Sequence, residues 1–319
     1  MTGPRTKPLV SIVTPTLQRA TYLEQTLRSI RAQRYPRVEH IVVDGGSTDG
    51  TIELLQRYSD TYNLRWISEP DAGMYDAINK GMRMANGDVL AYLNSDDLYF
   101  PWTLERVVNA LSKSPDVGVV YGDAIRIDTV HDLVVPVFMP PYRDGPSANY
   151  GSLLQPCVHL RREVYETLGG FDSRLGYVAD MEFWLRAAAR FTFLRIPEVL
   201  ALEVRHPGML SVTRREELAT EDFRMRMGFR HGIGATWIGR LAGYLGWHFW
   251  SGKLWIDFAR AVRGGGAGWE ELIDGCRPDL SATTILLGVM PSKGSRFRNG
   301  IRWAQDPLSV ASPGGRAPE

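Results

Sequence analysis

The chain has 319 residues, enough to bury a full core and to form one large domain with or without an appendage. Its 37 Lys and Arg residues balance 36 Asp and Glu residues, which argues against a nucleic-acid-binding protein and against an acidic tail. The two cysteines, Cys157 and Cys276, lie far apart and outside metal-ligand spacing, so a disulfide framework is excluded and a reducing compartment is indicated.

Short apolar runs alternate with amphipathic stretches over residues 9–125. Strands are predicted over residues 9–14, 38–43, 64–68, 89–93 and 117–121, and helices over residues 22–33, 51–58, 76–85 and 104–112. Strict alternation of strand and helix with short connections predicts an α/β fold built on a doubly wound, mostly parallel sheet.

Polar residues collect where each of the first four predicted strands ends. The four ends read Thr14-Pro15-Thr16, Asp44-Gly45-Gly46, Glu69-Pro70-Asp71-Ala72-Gly73 and Asn94-Ser95-Asp96-Asp97. Because the carboxyl ends of parallel strands lie along one edge of a sheet, we expect these residues to line one ligand-binding crevice. The adjacent carboxylates of Asp96 and Asp97 can hold a hard divalent cation that bridges to phosphate oxygens. The alternative is a polar turn before a helix, with Asp97 as its N-terminal cap.

The second and third strand ends carry side chains suited to a nucleotide. The Asp44 carboxylate can accept a hydrogen bond from a base N–H or a sugar hydroxyl, while the glycines after it let a ligand approach the backbone. Ser47 and Thr48 are expected to cap the helix that follows. Gly73 opens the next helix, whose N-terminus can face an anion. Lys80 either neutralises a phosphate or lies on a solvated helix face, and the sequence leaves both open.

These motifs together carry a family resemblance. The segments that carry it are Ser11-Ile12-Val13-Thr14-Pro15-Thr16, Ile41-Val42-Val43-Asp44-Gly45-Gly46-Ser47-Thr48-Asp49-Gly50-Thr51, Glu69-Pro70-Asp71-Ala72-Gly73-Met74-Tyr75-Asp76-Ala77-Ile78-Asn79-Lys80-Gly81 and Leu93-Asn94-Ser95-Asp96-Asp97. They closely resemble the family 2 glycosyltransferases, above all those that build bacterial surface polysaccharides, and the resemblance covers residues 9–215. It implies a GT-A type fold over residues 1–215, with a nucleotide-sugar-binding half at 9–125 and an acceptor-binding half at 126–215.

The resemblance also implies which residues bind the donor. They are Thr14, Pro15, Thr16, Asp44, Gly73, Asp76, Lys80, Asn94, Ser95 and Asp96. Asp96 corresponds to the metal-binding aspartate of the family's Asp-any-Asp motif, and Asn94 stands where that motif has its first aspartate. Because an amide can bond a ribose hydroxyl but brings no charge, metal binding shifts onto Asp96 and Asp97.

Two downstream segments resemble the acceptor side of the family. They are Gly169-Gly170-Phe171-Asp172 and Ala179-Asp180-Met181-Glu182-Phe183-Trp184-Leu185-Arg186. In the family, an acidic residue that opens this second helix is the catalytic base, and Asp180 matches it. Glu182, two positions further along the helix, should point elsewhere. The alternative for Asp180 is helix capping.

Four further residues are candidates at the same site. His206 lies in a loop that resembles the one whose histidine completes the metal shell in some GT-A enzymes, so it is a candidate metal ligand beside Asp96 and Asp97. The alternative is an ordinary loop histidine. Gln155 and His159, on a predicted strand, are candidates for contact with the acceptor, as is Glu182.

The implied reaction is inverting transfer of a hexosyl or N-acetylhexosaminyl group from a nucleotide-diphospho-sugar, with a UDP-sugar favoured, to a saccharide or lipid-linked saccharide. Mg²⁺ or Mn²⁺ is the implied cofactor, and no nucleic-acid partner is expected. A sugar nucleotidyltransferase would need a glycine-rich, basic loop after the first strand, which residues 14–19 do not provide. A non-catalytic nucleotide-sugar scaffold or sensor is the alternative, favoured by Asn94 and by Ala179.

The C-terminal part differs in composition, since six of the nine tryptophans lie from Trp237 onward. Residues 216–308 are predicted to form a helical, aromatic-rich extension and residues 309–319 a disordered tail. Residues 235–263 suit peripheral contact with a membrane, or else a helical pair that packs on the catalytic domain or forms a homodimer interface. Because no apolar signal core is found near Met1, we expect a cytoplasmic enzyme. If residues 235–263 contact a membrane, we expect the enzyme at the inner face of the cell membrane.

Overall fold

A computed structural model describes residues 7–130, 133–137, 139 and 153–228. Its first elements are β1 (Val10–Thr16), α1 (Ala20–Arg31), β2 (Val38–Asp44), α2 (Thr51–Tyr58), β3 (Leu64–Ser68), α3 (Met74–Met84) and β4 (Val89–Tyr92). They are followed by β5 (Leu98–Tyr99), α4 (Thr103–Lys113), β6 (Val117–Asp128), β7 (Leu133–Val137), a 3₁₀ helix (Gln155–Cys157), β8 (Val158–Arg161), α5 (Arg162–Leu168), α6 (Ala179–Ala188), β9 (Thr192–Arg205), α7 (Leu210–Thr213) and α8 (Arg215–Gly228). The predicted strands and helices up to β4 are confirmed, and the predicted strand 117–121 is the first part of β6.

The strands of these residues form one sheet in the order β3-β2-β1-β4-β8-β6-β9-β5, with β7 paired to β6. Strands β1 to β4 run parallel to one another. Strand β8 lies between β4 and β6 and is antiparallel to both, whereas β6 and β9 are parallel. The predicted α/β fold with a mostly parallel sheet is confirmed, and the parallel block sets four strand ends on one edge.

Helix α3 packs closely on β1 and β2 because its sequence provides a glycine at the crossing. A Cβ at Gly81 would overlap Val13 and come within 3.2 Å of Val43. Ile78 and Met82 are fully buried beside it, and burial of such side chains contributes about 1.5–3 kcal/mol each. This packing fixes the N-terminus of α3 at the same sheet edge as the strand ends.

Helix α3 also joins the two predicted halves of the domain through Asn79. Its Nδ2 donates to the Phe171 carbonyl at 2.8 Å, and its Oδ1 accepts the Phe171 N–H at 3.0 Å and the Tyr165 hydroxyl at 2.8 Å. Gly170 leaves room for this contact, because a Cβ there would lie 2.9 Å from Asn79 Oδ1. The segment that leads into α6 is therefore held on α3.

The predicted aromatic-rich segment 235–263, the tail 309–319 and Cys276 lie outside the described residues. Cys157 is a free, buried thiol, as expected. Among the helices that the structure describes, none has the length and apolarity needed to cross a bilayer.

Candidate functional site

The four predicted strand ends lie side by side on one edge of the sheet. The pairing register places Thr16 of β1 opposite Asp44 of β2, and Asp44 opposite Ser68 of β3. The Gly45 N–H donates to the Thr16 carbonyl at 2.9 Å. Strand β4 pairs with the other side of β1 and leads directly into residues 94–97. The segments predicted to bind the donor therefore share one edge.

The end of β1 is buried, and a hydrogen-bonded histidine on β2 supports it. Thr14 Oγ1 lies 2.9 Å from His40 Nε2, and His40 Nδ1 lies 2.7 Å from the Tyr62 hydroxyl. Burial lowers the pKa of His40 to about 3, so the neutral ring bridges two hydroxyls. Pro15 is also buried, and Thr16 Oγ1 is a buried oxygen without a hydrogen-bond partner. Since an unpaired buried hydroxyl is costly, Thr16 has bonding capacity for a ligand.

Asp44 directs its carboxylate into its own loop. Oδ2 accepts the N–H groups of Gly46 at 3.0 Å and Ser47 at 2.8 Å, and the Ser68 hydroxyl at 2.7 Å. Oδ1 accepts the Ser47 hydroxyl at 2.5 Å. Asp44 is fully buried. It orders the loop after β2, and its contact with a nucleoside stays a prediction.

Ser47 and Thr48 do not cap α2, so that prediction is wrong. The residue before α2 is Gly50, with a φ of 96°. Asp49 Oδ1 accepts the Thr51 N–H at 3.2 Å and the Thr51 hydroxyl at 2.6 Å. The carboxylate of Asp49, one residue before Gly50, thus satisfies the first N–H of the helix.

Gln18, which the sequence analysis missed, links the loops after β1 and β2. Its φ of 53° is the one positive value at a non-glycine position among the described residues. Its N–H donates to Ser47 Oγ at 2.7 Å, and its side-chain amide lies 3.2 Å from Thr48 Oγ1. Non-glycine residues in this conformation are strained and cluster at functional sites. Its partners are about 30 positions away along the chain, so no local pattern marks it.

Lys80 braces the loop after β3. Its Nζ lies 3.0 Å from Glu69 Oε1 and 3.5 Å from Asp76 Oδ2, and it donates to the Pro70 carbonyl at 3.2 Å. The positive charge of Lys80 is therefore balanced by the carboxylates of Glu69 and Asp76. Gly73 ends this loop with a φ of 124°, a conformation that requires glycine, and α3 begins directly after it.

Asp96 and His206 meet at the end of β4. His206 Nε2 lies 3.0 Å from Asp96 Oδ2, and the imidazole stacks on Tyr22 with ring centroids 4.3 Å apart. The Gly208 N–H donates to His206 Nδ1 at 3.1 Å, and the Arg19 guanidinium donates to the Gly208 carbonyl at 2.8 Å. Because Nδ1 accepts a hydrogen bond, the proton of the neutral ring lies on Nε2 and points to Asp96.

The Asp96–His206 pair fits a divalent cation. A carboxylate oxygen and an imidazole nitrogen both suit Mn²⁺, and Mg²⁺ commonly takes one carboxylate together with substrate phosphates and water. Within residues 7–130, 133–137, 139 and 153–228, no three His, Cys, Asp or Glu side chains converge on a metal position. The protein would thus provide two ligands and the donor diphosphate or water the others. Coordination by Nε2 would move the ring proton to Nδ1, which would then no longer accept the Gly208 N–H.

Asp97, the third predicted ligand, lies in the core instead of joining that pair. Its side chain is buried, and Oδ1 accepts the Val204 N–H of β9 at 3.2 Å. Burial, together with the charges of Asp96 and Glu203, raises the pKa of Asp97 well above its usual range. Its position supports β9 against the end of β4.

Asn94 lies between Asp97 and Gln155. Its Nδ2 is 3.5 Å from Asp97 Oδ2 and 3.3 Å from Gln155 Oε1. An aspartate here would place a second carboxylate against Asp97, so the amide relieves a repulsion. The Oδ1 of Asn94 is buried without a partner and has capacity for a ligand hydroxyl. Ser95, beside it, is buried.

Asp180 lies in the first turn of α6 at the same sheet edge. Its Oδ1 accepts the Met181 N–H at 2.8 Å and the Tyr75 hydroxyl at 3.0 Å. Burial raises the pKa of Asp180, and hydrogen bonds from Met181, Tyr75 and Tyr92 oppose the rise. Tyr92 ends β4, the strand that leads to Asp96. A carboxyl group with a raised pKa beside a ligand-binding edge is a candidate for proton transfer.

The three residues predicted to contact the acceptor are either buried or bonded to other protein groups. Glu182 forms two 2.7 Å bonds with the Arg186 guanidinium. Gln155 lies in the 3₁₀ helix and not on a strand as predicted, and its Nε2 donates to the Tyr92 carbonyl at 2.6 Å. His159 is on β8, fully buried, and burial lowers its pKa to about 4.

Sequence comparison finds one matching family model and several named relatives. The model for glycosyl transferase family 2 matches residues 11–161. An uncharacterized glycosyltransferase of Mycobacterium tuberculosis is 34% identical over 187 residues, which cover 57% of this chain and 69% of the relative. A PGL/p-HBAD biosynthesis glycosyltransferase of Mycobacterium bovis is 30% identical over 235 residues, which cover 70% of this chain and 88% of the relative.

Structure comparison finds the same fold in two solved proteins. S. aureus TarS in complex with UDP-GlcNAc superposes with a TM-score of 0.58 at 17% identity, over 69% of this chain and 66% of that chain. The mannosyltransferase PcManGT from Pyrobaculum calidifontis, in complex with GDP-Man and Mn²⁺, gives a TM-score of 0.60 at 21% identity, over 96% of this chain and 87% of that chain. The chain spans 44% of the length of a longer TarS structure. The likeness identifies the GT-A fold.

Proposed function

The chain belongs to glycosyltransferase family 2, and on that premise we propose that it is an inverting enzyme that moves a sugar from a nucleotide-diphospho-sugar to a hydroxyl group. The acceptor class that we propose is a cell-surface polysaccharide or glycolipid. The names of the mycobacterial relatives support this class, since one of them is a PGL/p-HBAD biosynthesis glycosyltransferase.

The observation that carries the proposal is the position of Asp180. Its carboxylate is bonded to Tyr75 of α3 and lies against Tyr92 of β4. The residues that follow β4 include Asp96, which pairs with His206. A proton acceptor and a candidate diphosphate site therefore share one sheet edge, as a single displacement requires.

Asp180 takes the acceptor proton as the hydroxyl oxygen attacks the anomeric carbon. General-base assistance of this kind contributes about a hundredfold to ten-thousandfold in rate. A single base without a covalent intermediate inverts the configuration at that carbon. The Tyr75 hydroxyl, which donates to Oδ1, holds the Asp180 carboxylate in place.

Asp96 and His206 would hold Mn²⁺ or Mg²⁺ at the other end of the reaction. A cation there supplies Lewis-acid stabilisation of the charge that develops on the nucleoside diphosphate leaving group. Thr16 and Asn94, each with a buried unpaired oxygen, are the groups that we assign to donor hydroxyls or base atoms.

Release of nucleoside diphosphate tests the proposal. UDP-glucose, UDP-N-acetylglucosamine and GDP-mannose are screened by thermal shift with Mn²⁺, and the best donor is then assayed with octyl glucoside as the acceptor. We expect a UDP-sugar to give the largest shift and a product of inverted anomeric configuration. Stabilisation by GDP-mannose alone would overturn the UDP assignment, a retained configuration would overturn inversion, and binding without any turnover would favour a sensor.

We also propose peripheral contact with the membrane that carries a lipid-linked acceptor. The predicted segment for this contact, residues 235–263, lies outside the described residues. Fractionation of cells that express the full chain tests it. Full-length protein in the washed membrane fraction, and its release when residues 235–319 are removed, are the expected results, and a protein recovered only from the soluble fraction contradicts the proposal.

Replacing Tyr75 by Phe is expected to move the acidic limb of the pH–rate profile to higher pH. The Tyr75 hydroxyl donates to Asp180 and opposes the rise in pKa that burial causes. Without this hydrogen bond the base stays protonated to higher pH, so activity falls at acid pH and recovers as the pH increases. The expected fall is about tenfold, which corresponds to the free energy of one hydrogen bond to a charged group. The measurement is kcat/KM for UDP release across the acidic limb.

Tyr165→Phe is the matched control for this change. It removes another buried tyrosine hydroxyl, the one bonded to Asn79, and it should leave the acidic limb where it is. Within the part of the chain that the structure describes, the titratable groups that act on Asp180 are Tyr75, Tyr92 and, beyond Tyr75, Glu221. An identical profile for wild type and Tyr75→Phe would show that Tyr75 does not tune the base.

A further inference from the structure

A carboxylate on α8 is bonded to the chain just before the helix that carries Asp180. Glu221 Oε1 accepts the Gly176 N–H at 2.8 Å, and Oε2 accepts the N–H groups of Tyr177 at 2.6 Å and Val178 at 3.1 Å. Three consecutive backbone donors thus converge on one side chain from about 45 positions away. Hydrogen bonds to an ionised acceptor are about twice as strong as neutral ones.

This contact is directly connected to the proposed base. Val178 is the residue before α6, and Asp180 is in its first turn. On the opposite side, the Tyr75 hydroxyl bonds to Asp180 and lies 3.4 Å from the Tyr177 carbonyl. The segment that carries the base is therefore held by α8 on one side and by α3 on the other.

The charge of Glu221 also acts on the tyrosine that holds the base. Burial raises the pKa of Tyr75 well above its usual range, and the negative charges of Asp180 and Glu221 act in the same direction. Tyr75 therefore keeps its proton and remains a donor to the carboxylate. An alanine at 221 would remove both the bonds to the backbone and this charge, whereas a glutamine would remove the charge and keep one acceptor oxygen.

We propose that Glu221 is a positioning residue for Asp180 and that α8 is part of the catalytic unit. This inference rests on the proposed role of Asp180 as the base. Glu221 lies beyond the family match at residues 11–161 and beyond the predicted domain boundary at residue 215. The acceptor side of the site therefore depends on the first helix of the C-terminal extension.

The test compares Glu221→Ala and Glu221→Gln with Glu217→Ala in the full chain. Glu217 is on the same helix and pairs with Arg214 at the surface, which makes it the matched control. UDP release from the best UDP-sugar with Mn²⁺ and octyl glucoside gives kcat and the donor KM, titration with UDP gives nucleotide affinity, and thermal unfolding gives Tm.

Glu221→Ala should lower kcat about tenfold to a hundredfold, the usual cost of misplacing a catalytic group by about 1 Å. The donor KM and the UDP affinity should stay at wild-type values, because the proposed donor site lies at the ends of β1 to β4. Glu221→Gln keeps one acceptor oxygen and should show a smaller loss, and it decides the test if the alanine variant fails to fold. Glu217→Ala should match wild type.

Two results would overturn the proposal. The first is a wild-type kcat for both Glu221→Gln and Glu221→Ala. The second is a loss of UDP affinity in proportion to the loss of kcat, since a proportional loss would indicate general unfolding. Failure of the base assignment is distinguishable, because an active Asp180→Asn variant would refute it whatever Glu221 does. An inactive Asp180→Asn enzyme with a fully active Glu221→Ala enzyme would refute the role of Glu221 alone.

Discussion

Asp180→Asn is expected to abolish sugar transfer and to leave donor binding unchanged. Asparagine keeps the shape of the side chain and can still accept the Tyr75 hydroxyl through its carbonyl oxygen, but it cannot take a proton from the acceptor. The loss in kcat should be about a hundredfold to ten-thousandfold. UDP release with octyl glucoside measures kcat, and titration with UDP in the presence of Mn²⁺ measures binding.

The pH profile gives this prediction a second readout. Because burial raises the pKa of Asp180, the wild-type enzyme should lose activity as the pH falls through that raised value, above the ordinary range of an aspartate. The residual activity of Asp180→Asn should lack this limb. Glu166→Gln changes an exposed acid on α5 and should behave as wild type, whereas an Asp180→Asn enzyme that keeps its turnover would exclude Asp180 as the base.

The edge of the sheet that is proposed to bind the donor could be predicted from sequence because it depends on local patterns. Apolar runs that end in polar residues predicted β1 to β4, and parallel strands must end on the same side. The insertion of β8 between β4 and β6 could not be predicted in this way. It rests on a four-residue strand whose neighbours come from distant parts of the chain.

Two residues near the proposed site, Gln18 and Glu221, could not be singled out from the sequence because they act through long-range contacts. Gln18 bonds to a loop about 30 positions away, and Glu221 bonds to a segment about 45 positions away. A periodic pattern does not encode either contact. Gln155, predicted on a strand, lies in a 3₁₀ helix, and Pro156 favours the first turn of such a helix.

The two adjacent carboxylates lie in a tight turn between β4 and β5. The Asp97 N–H closes this turn by donating to the Asn94 carbonyl at 3.1 Å. Asp96 lies with His206, and Asp97 is buried against Val204 of β9. The acidic pair could be identified from the sequence. Which of its members pairs with His206 and which is buried depends on the packing of β9, and the sequence does not show it.

Asp96→Ala is expected to abolish the metal-dependent part of nucleotide binding. Asp96 and His206 are the two side chains that converge at the end of β4, and the carboxylate brings the negative charge that a divalent cation needs. Removing it should lower the affinity for UDP in Mn²⁺ by about a hundredfold, the upper range for loss of a group that supports a metal. Calorimetric titration with UDP, in Mn²⁺ and in EDTA, measures the effect.

Asn94→Asp completes this test, because it restores the acid that the family motif has at this position. A carboxylate at residue 94 would face Asp97, whose pKa burial already raises, and would lose the amide hydrogen bonds to Asp97 and Gln155. We therefore expect Asn94→Asp to bind UDP in Mn²⁺ no more tightly than wild type. Equal UDP affinity of wild type and Asp96→Ala in Mn²⁺, with no change in EDTA, would exclude the metal role of Asp96. A large gain in Mn²⁺-dependent affinity for Asn94→Asp would instead show that residue 94 faces the cation, and that the asparagine weakens the metal site instead of relieving a repulsion.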